Sequence, residues 1–230
     1  MIHLRPLAAD VRLQASTAPR RLPADLQARV DALWEAETAA RGEGLFDGPI
    51  FSVAELSPHC LTLEPASFRR LIAARRDPEA AAGLGLRPLG VTGLVLSPDG
   101  IALGRRSRRL HTEPGRWEPS PAGVVDRLDW RAVLLGEARE ELGLFPEHLS
   151  APEPVALIED DELGVCDLLC RLRTPLTGVE IEAAWRARGS DEYEALAVVA
   201  PEALGAFLEA NRDALAPALV PMLRAAGLKP

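Results

Sequence analysis

Lysine is almost missing from this chain. Of 26 basic side chains only Lys229 is a lysine, which reads as a codon bias before it reads as a functional choice. Basic residues are also outnumbered, 26 against 34 Asp and Glu, leaving a net charge of −8. An acidic chain of this kind is not a general nucleic-acid or anionic-membrane binder. Cysteine is scarce. Cys60, Cys166 and Cys170 have no zinc-like or redox spacing, and an odd number fits a reducing compartment, so a cytoplasmic location is expected. Cys166 and Cys170 read as small apolar residues in a strand. No run approaches the roughly 20 apolar residues of a membrane helix, and the opening MIHLRPLAAD lacks the apolar core of a signal peptide. No fixed-period repeat is present. His3, His59 and His148 have no partner pattern, and no serine stands in a Gly-x-Ser-x-Gly setting or beside a histidine, so covalent nucleophilic catalysis has no footing.

What remains is 230 residues, 47% of them hydrophobic, enough for one sizeable core or for one domain with an N-terminal extension. IHLRPL and DVRLQAS alternate like short strands. Pro23 and the run after it predict a helix ending at Gly42. PIFSVAEL and HCLTLEP read as a strand pair, and residues 67–76 as a short helix with a basic side. DPEAAAGLG reads as a loop, and the division into residues 1–86 and 87–230 is placed there. LGVTGLVLS, the Asp99-Gly100 turn and IALGRRS form a hairpin. PVALIEDDELGVCDLLCRLRT reads as two strands around an acidic turn. Asp167, in the second, either faces the site or makes a structural hydrogen bond. EYEALAVV is a further strand, Pro201 opens a helix, and residues 217–228 form a last one.

Chemistry concentrates between Gly123 and Leu144. Residues 131–142 are rich in Ala, Leu, Glu and Arg, with Leu134, Leu135, Ala138 and Leu142 at helical spacing and Gly143 as the stop. Glu137, Glu140 and Glu141 sit at i, i+3 and i+4 and share a face. Each like-charge pair costs roughly 0.2–0.5 kcal/mol there. A hard divalent cation would reverse that cost. Taken alone, the pattern reads first as a solvated helix face, with Arg131 and Arg139 offsetting some of the charge. Upstream, Arg105, Arg106, Arg108, Arg109, His111 and Arg116 crowd a loop rich in Pro and Gly. They form either a cradle for a diphosphate, since guanidinium pairs bidentately with phosphate oxygens, or a solvated charge run. Trp117 could stack on a base, with core packing the favoured reading.

The stretch GEAREELGL resembles the end of the signature box of the Nudix hydrolases. Glu137-Ala138-Arg139-Glu140-Glu141-Leu142-Gly143-Leu144 matches its last eight positions, and Gly123 its leading glycine. Asp129 stands where the family has Glu. The interval that follows is one residue short, and Gly136 occupies the place of the arginine that steadies the first catalytic glutamate; Arg131 and Arg139 are candidate substitutes. The resemblance implies an α/β fold, a Nudix-type α/β/α sandwich with a mixed sheet, plus a smaller N-terminal α+β region. It further implies Mg²⁺ or Mn²⁺ held by Glu137, Glu140 and Glu141, with Glu192 or Glu194 as a fourth carboxylate. Arg105, Arg106, Arg108, Arg109 and Trp117 would bind substrate. The order of segments from Leu45 to Leu96 resembles, more loosely, Nudix members that hydrolyse UDP-glucose-type substrates. The implied reaction cleaves a nucleoside diphosphate linked to another moiety, first of all a UDP-sugar to UMP and sugar 1-phosphate. ADP-ribose, a coenzyme and a dinucleoside polyphosphate are the alternative substrates, and a non-catalytic nucleotide-binding module is the alternative role. The partner is a small nucleotide rather than nucleic acid or membrane. The resemblance allows a homodimer, and the sequence itself is silent on assembly.

Overall fold

A computed structural model describes residues 1–16, 19–41, 45–110 and 112–229 of the chain. Gly42 and His111 lie outside the described residues. In chain order the strands are β1 (Ile2–Pro6), β2 (Arg12–Ala15), β3 (Pro49–Ser57), β4 (Cys60–Ser67), β5 (Leu89–Ser97), β6 (Gly100–Arg106), β7 (Trp117–Pro119), β8 (Ala122–Val124), β9 (Glu153–Asp160), β10 (Val165–Arg173) and β11 (Tyr193–Val199). The helices are α1 (Ala24–Arg41), α2 (Phe68–Arg76), α3 (Pro78–Leu84), α4 (Trp130–Leu142), α5 (Gly178–Arg188), α6 (Leu204–Ala210) and α7 (Leu219–Ala225).

The large sheet is mixed, in the order β1-β9-β10-β5-β6-β11. β10 runs parallel to β5, and the other neighbours on this path are antiparallel. β5 and β6 pair only beside their turn, at Leu96–Ser97 with Gly100–Ile101. Beyond it they part: β8 pairs with β5 along Gly90–Thr92, and β7 with β6 along Leu103–Arg105. The segment leading into α4 is thereby held in the middle of the sheet.

Apolar side chains cover both faces, as the alternation of inward positions along buried strands requires. On one face Trp130, Val133, Leu134 and Leu142 of α4 and Ile181 of α5 pack on Leu89, Val91 and Val95. On the other, Leu204 and Leu208 of α6 and Leu219, Met222 and Leu223 of α7 pack on Leu94, Ile101 and Leu103. The result is the α/β/α sandwich with a mixed sheet that the motif implies. Each fully buried Leu, Val or Ile contributes about 1.5–3 kcal/mol of hydrophobic stabilisation.

The N-terminal residues build a second sheet, β2-β4-β3, with α1, α2 and α3 beside it. Val30, Ala73, Ala80 and Leu84 form a small core of their own. The segment is not detached, however. β1 pairs with β9 at the edge of the large sheet, and Val11, Val53, Leu61 and Leu63 join the first core. DPEAAAGLG, read above as a loop, is helix α3. Asp77 caps it by accepting from the N–H groups of Glu79 and Ala80, Pro78 fits its first turn, and Gly85 ends it at φ 55°. The local reading weighed Pro and Gly as loop formers and missed that they bracket an alanine run. Helix α5 had no counterpart in the sequence reading. Among the described residues no helix is long and apolar enough to cross a membrane.

Candidate active site

Helix α4 forms for identifiable reasons. Asp129 caps it, its side chain accepting from the Ala132 N–H at 3.1 Å, and Gly143 ends it at φ 67°. Asp129 is therefore a capping residue of the helix. Trp130 is fully buried, and the guanidinium of Arg131 lies 4.1 Å from its ring centre. That contact occupies Arg131 at the start of the helix.

The three glutamates have different surroundings. Glu141 is only 3% exposed, and its Oε2 accepts from the Ala122 N–H at 3.0 Å. The Tyr193 phenol lies 3.2 Å from the same oxygen and 3.3 Å from Glu118 Oε1. One phenol proton serves one acceptor at a time, so a proton on a carboxyl completes this buried set. Burial accordingly holds the Glu141 carboxyl well above the usual range, the Ala122 N–H opposing it. Burial also pushes Glu118 up to about 7, although Arg106 donates to it at 2.6 Å. Glu137 is pushed up to about 7 too, first by burial, then by the charges of Glu140, Glu192 and Asp126, with Arg127 opposing. Glu140 is exposed and has a loose 3.7 Å contact with Arg139.

Gly123 has a steric reason. A Cβ there would fall 2.0 Å from Glu137 Oε1, so only glycine lets that carboxylate lie against β8. Gly136 faces open space, with nothing within 4 Å of where its Cβ would be. It lines a depression of about 700 Å³ together with Arg127, Glu137, Arg139 and Glu140. Arg127, rather than Arg131, is the arginine whose charge reaches Glu137.

The arginine loop divides. Successive strand residues point to opposite faces, and β6 sends Arg106 toward Glu118 while Arg105 turns to the α6–α7 side. There Arg105 donates to the Gly115 carbonyl at 3.0 Å and pairs with Glu194 at 3.3 Å. Arg108 also leans on Glu194, at 3.7 Å, and the exposed Arg109 lies 3.5 Å from Asp191. The single cradle expected of Arg105, Arg106, Arg108 and Arg109 is thus not assembled, and only Arg106 meets the site. Trp117 is likewise drawn into the core, the favoured of its two readings, and away from a stacking role. Its indole N–H donates to Asn211 at 3.1 Å and its ring meets Phe207 edge-on at 5.1 Å. Of the two candidate fourth carboxylates, Glu192 reaches Glu137 and Glu141 electrostatically, and Glu194 is held by arginines elsewhere.

A second cavity, of about 420 Å³, opens on the other side of Glu137, and Arg106, Glu118, Gly123, Asp167 and Glu192 are among its walls. Glu118 and Tyr193 escaped the sequence reading. The one available signal was a lone tyrosine between glutamates at the start of a strand.

The donor set fits a hard cation in its chemistry. Glu137, Glu140 and Glu192 are carboxylates close enough to raise the pKa of Glu137, a repulsion that a divalent ion relieves. As they stand, no three His, Cys, Asp or Glu side chains among the described residues are grouped closely enough to enclose one.

No family model matches the chain, and no curated protein matches it. Solved structures are similar to part of the chain. The Deinococcus radiodurans protein DR0079 is 22% identical with a TM-score of 0.45, covering 59% of this chain and 80% of that one. The Nudix domain of NrtR from Shewanella oneidensis, complexed with ADP-ribose, is 14% identical with a TM-score of 0.45, covering 60% and 85%. An Ap4A hydrolase from C. elegans is 19% identical with a TM-score of 0.39, covering 60% and 94%. These overlaps are partial, and the chemistry of the site rests on its own residues.

Proposed function

We propose that this protein is a Nudix-type pyrophosphohydrolase, a Mg²⁺- or Mn²⁺-dependent hydrolase that cleaves a nucleoside diphosphate linked to another moiety. One observation carries the reading: Gly123, the leading glycine of the motif, is the position whose missing side chain leaves room for the Glu137 carboxylate. The resemblance in sequence and the packing in space meet at the same pair of residues. Residues 87–230 form the catalytic unit in this reading. Residues 1–86 form an N-terminal α+β extension that adds Leu71 and Arg75 to the wall of the 420 Å³ cavity.

Glu137, Glu140 and Glu141, with Glu192 from the turn before β11, are the residues that would hold the ion. A bound divalent cation neutralises phosphate charge and lowers the pKa of an attacking water. The Ala122 N–H and Tyr193 orient the Glu141 carboxyl where α4 meets β8, beside the glutamate face. Arg127 and Arg139 flank the larger depression, where guanidinium groups can take up phosphate oxygens. Cleavage of the diphosphate then leaves two phosphate monoesters. A UDP-sugar is the first substrate to try, from the order of the N-terminal segments, followed by ADP-ribose, coenzymes and dinucleoside polyphosphates.

The open space at Gly136 and the ungrouped carboxylates favour one other reading, a nucleotide-binding module without turnover. A panel of these diphosphates, incubated with Mg²⁺ or Mn²⁺ beside a Glu141→Gln variant, separates the two. Monoester release by the wild type, lost in the variant, supports hydrolysis. Nucleotide-dependent thermal stabilisation with no release supports the binding module.

A further inference from the structure

Asp167 has no part in the chemistry above, yet the fold makes room for it. It lies on β10 opposite Gly90 of the parallel neighbour β5. A Cβ on Gly90 would fall 2.1 Å from Asp167 Oδ1 and 3.4 Å from the Gly123 carbonyl oxygen. Two bare glycine positions on paired strands therefore separate two carboxylates, Asp167 beside Gly90 and Glu137 beside Gly123. Both carboxylates line the 420 Å³ cavity. Among the described residues Asp167 has one side-chain hydrogen bond, a long one from the Thr92 hydroxyl at 3.4 Å. A carboxylate has about four acceptor sites, so the one long bond leaves most of its capacity open to a group in the cavity that it lines.

The charges of the two hollows differ. The 420 Å³ cavity carries five acids, Glu113, Glu118, Glu137, Asp167 and Glu192, against Arg75 and Arg106. The larger depression across Glu137 carries Arg127 and Arg139 against three acids, Asp126, Glu137 and Glu140. A phosphate fits the second better. The first is suited to an uncharged group that donates hydrogen bonds, because an anion there would meet an excess of like charge.

We propose that Asp167 is a specificity-determining residue, its carboxylate accepting a hydrogen bond from a hydroxyl of the uncharged, sugar-like group joined to the diphosphate. This rests on the pyrophosphohydrolase reading for the diphosphate and adds the chemistry of the group beyond it. A site built to bond a hydroxyl rejects the analogue that lacks it, because its own polar group is left unpaired.

The test uses the full-length protein with Mg²⁺, and UDP-glucose and ADP-ribose, each beside its monodeoxy analogues. Wild type, Asp167→Asn and Asp167→Ala are compared. For the better substrate, the wild type discriminates about 10- to 100-fold in kcat/KM against one deoxy analogue. Asp167→Ala loses that discrimination through KM with kcat nearly unchanged, and Asp167→Asn, which keeps an acceptor oxygen, retains part of it. Equal discrimination in wild type and Asp167→Ala overturns the proposal. If the wild type cleaves nothing, hydrolysis fails separately, and melting temperatures with the same compounds decide. Stabilisation by the parent compound that is lost both in one deoxy analogue and in Asp167→Ala supports the subsite. Stabilisation indifferent to Asp167, or none by any compound, overturns it.

Discussion

Replacing Gly123 with alanine tests the one contact on which the site is built. The added Cβ would stand 2.0 Å from Glu137 Oε1, 2.3 Å from Cδ and 2.6 Å from Cγ. All three distances are far inside van der Waals contact, so the carboxylate end of Glu137 must swing away by more than 1 Å. The obstacle is the end of a flexible side chain, not backbone, and an off-rotamer χ costs about 0.5–1.5 kcal/mol. Stability should therefore fall by no more than about 1.5 kcal/mol. A misplacement of about 1 Å at a reacting group costs on the order of 100-fold in rate. Urea denaturation and kcat/KM on the best substrate of the panel read the two effects separately. Near-native stability with turnover down about 100-fold is the expected pair. Full turnover would refute the placement of Glu137, and a loss of several kcal/mol would show that Gly123 serves the fold instead.

Gly136→Ala is the converse: open space at the Cβ position and a helix interior give a stability gain of about 0.8–1 kcal/mol by denaturant titration. Asp167→Asn should change the pH dependence of stability. Burial raises the Asp167 carboxyl to about 6, so its contribution is full below the unfolded value near 4 and fades as pH climbs through 6. The asparagine variant, which never ionises, gains about 2–3 kcal/mol relative to wild type between pH 4 and 6.5 and stays level above; a constant difference across that window would contradict it. Trp117→Phe removes the bond to Asn211 while leaving a ring against Phe207, for a stability loss of about 1 kcal/mol and an unchanged KM. A large rise in KM would return Trp117 to the substrate.

Helix α4 was legible because its signals are local. The apolar stripe and the stop at Gly143 lie within one stretch, and the structure uses both; the cap at Asp129, equally local, was passed over because that residue was read as a position of the motif. The arginine loop stayed open between a cradle and a solvated run because clustering in sequence says nothing about faces, and β6 sends Arg105 and Arg106 to opposite sides. Tyr193 and Glu118 were invisible for a related reason. Their meeting with Glu141 depends on β11, β7 and α4 converging across the sheet, with Tyr193 and Glu118 75 residues apart in the chain. The place of β1 is the longest-range case. IHLRPL reads as a strand, but nothing local shows that it closes the far edge of the large sheet beside β9. Gly90 and Gly123 show the opposite lesson, since the reason for each glycine is a carboxylate on another element.

Glu140→Gln, assayed on the diphosphate panel with and without Mg²⁺, tests the central claim most directly. Glu140 is exposed, and its ion pair with Arg139 is loose at 3.7 Å, so the substitution leaves the fold alone and any effect belongs to the site. The expected result is Mg²⁺-dependent monoester release by the wild type that falls about 100-fold or more in the variant, with an unchanged melting temperature in metal-free buffer. Equal turnover by the two proteins would contradict a catalytic metal held on α4.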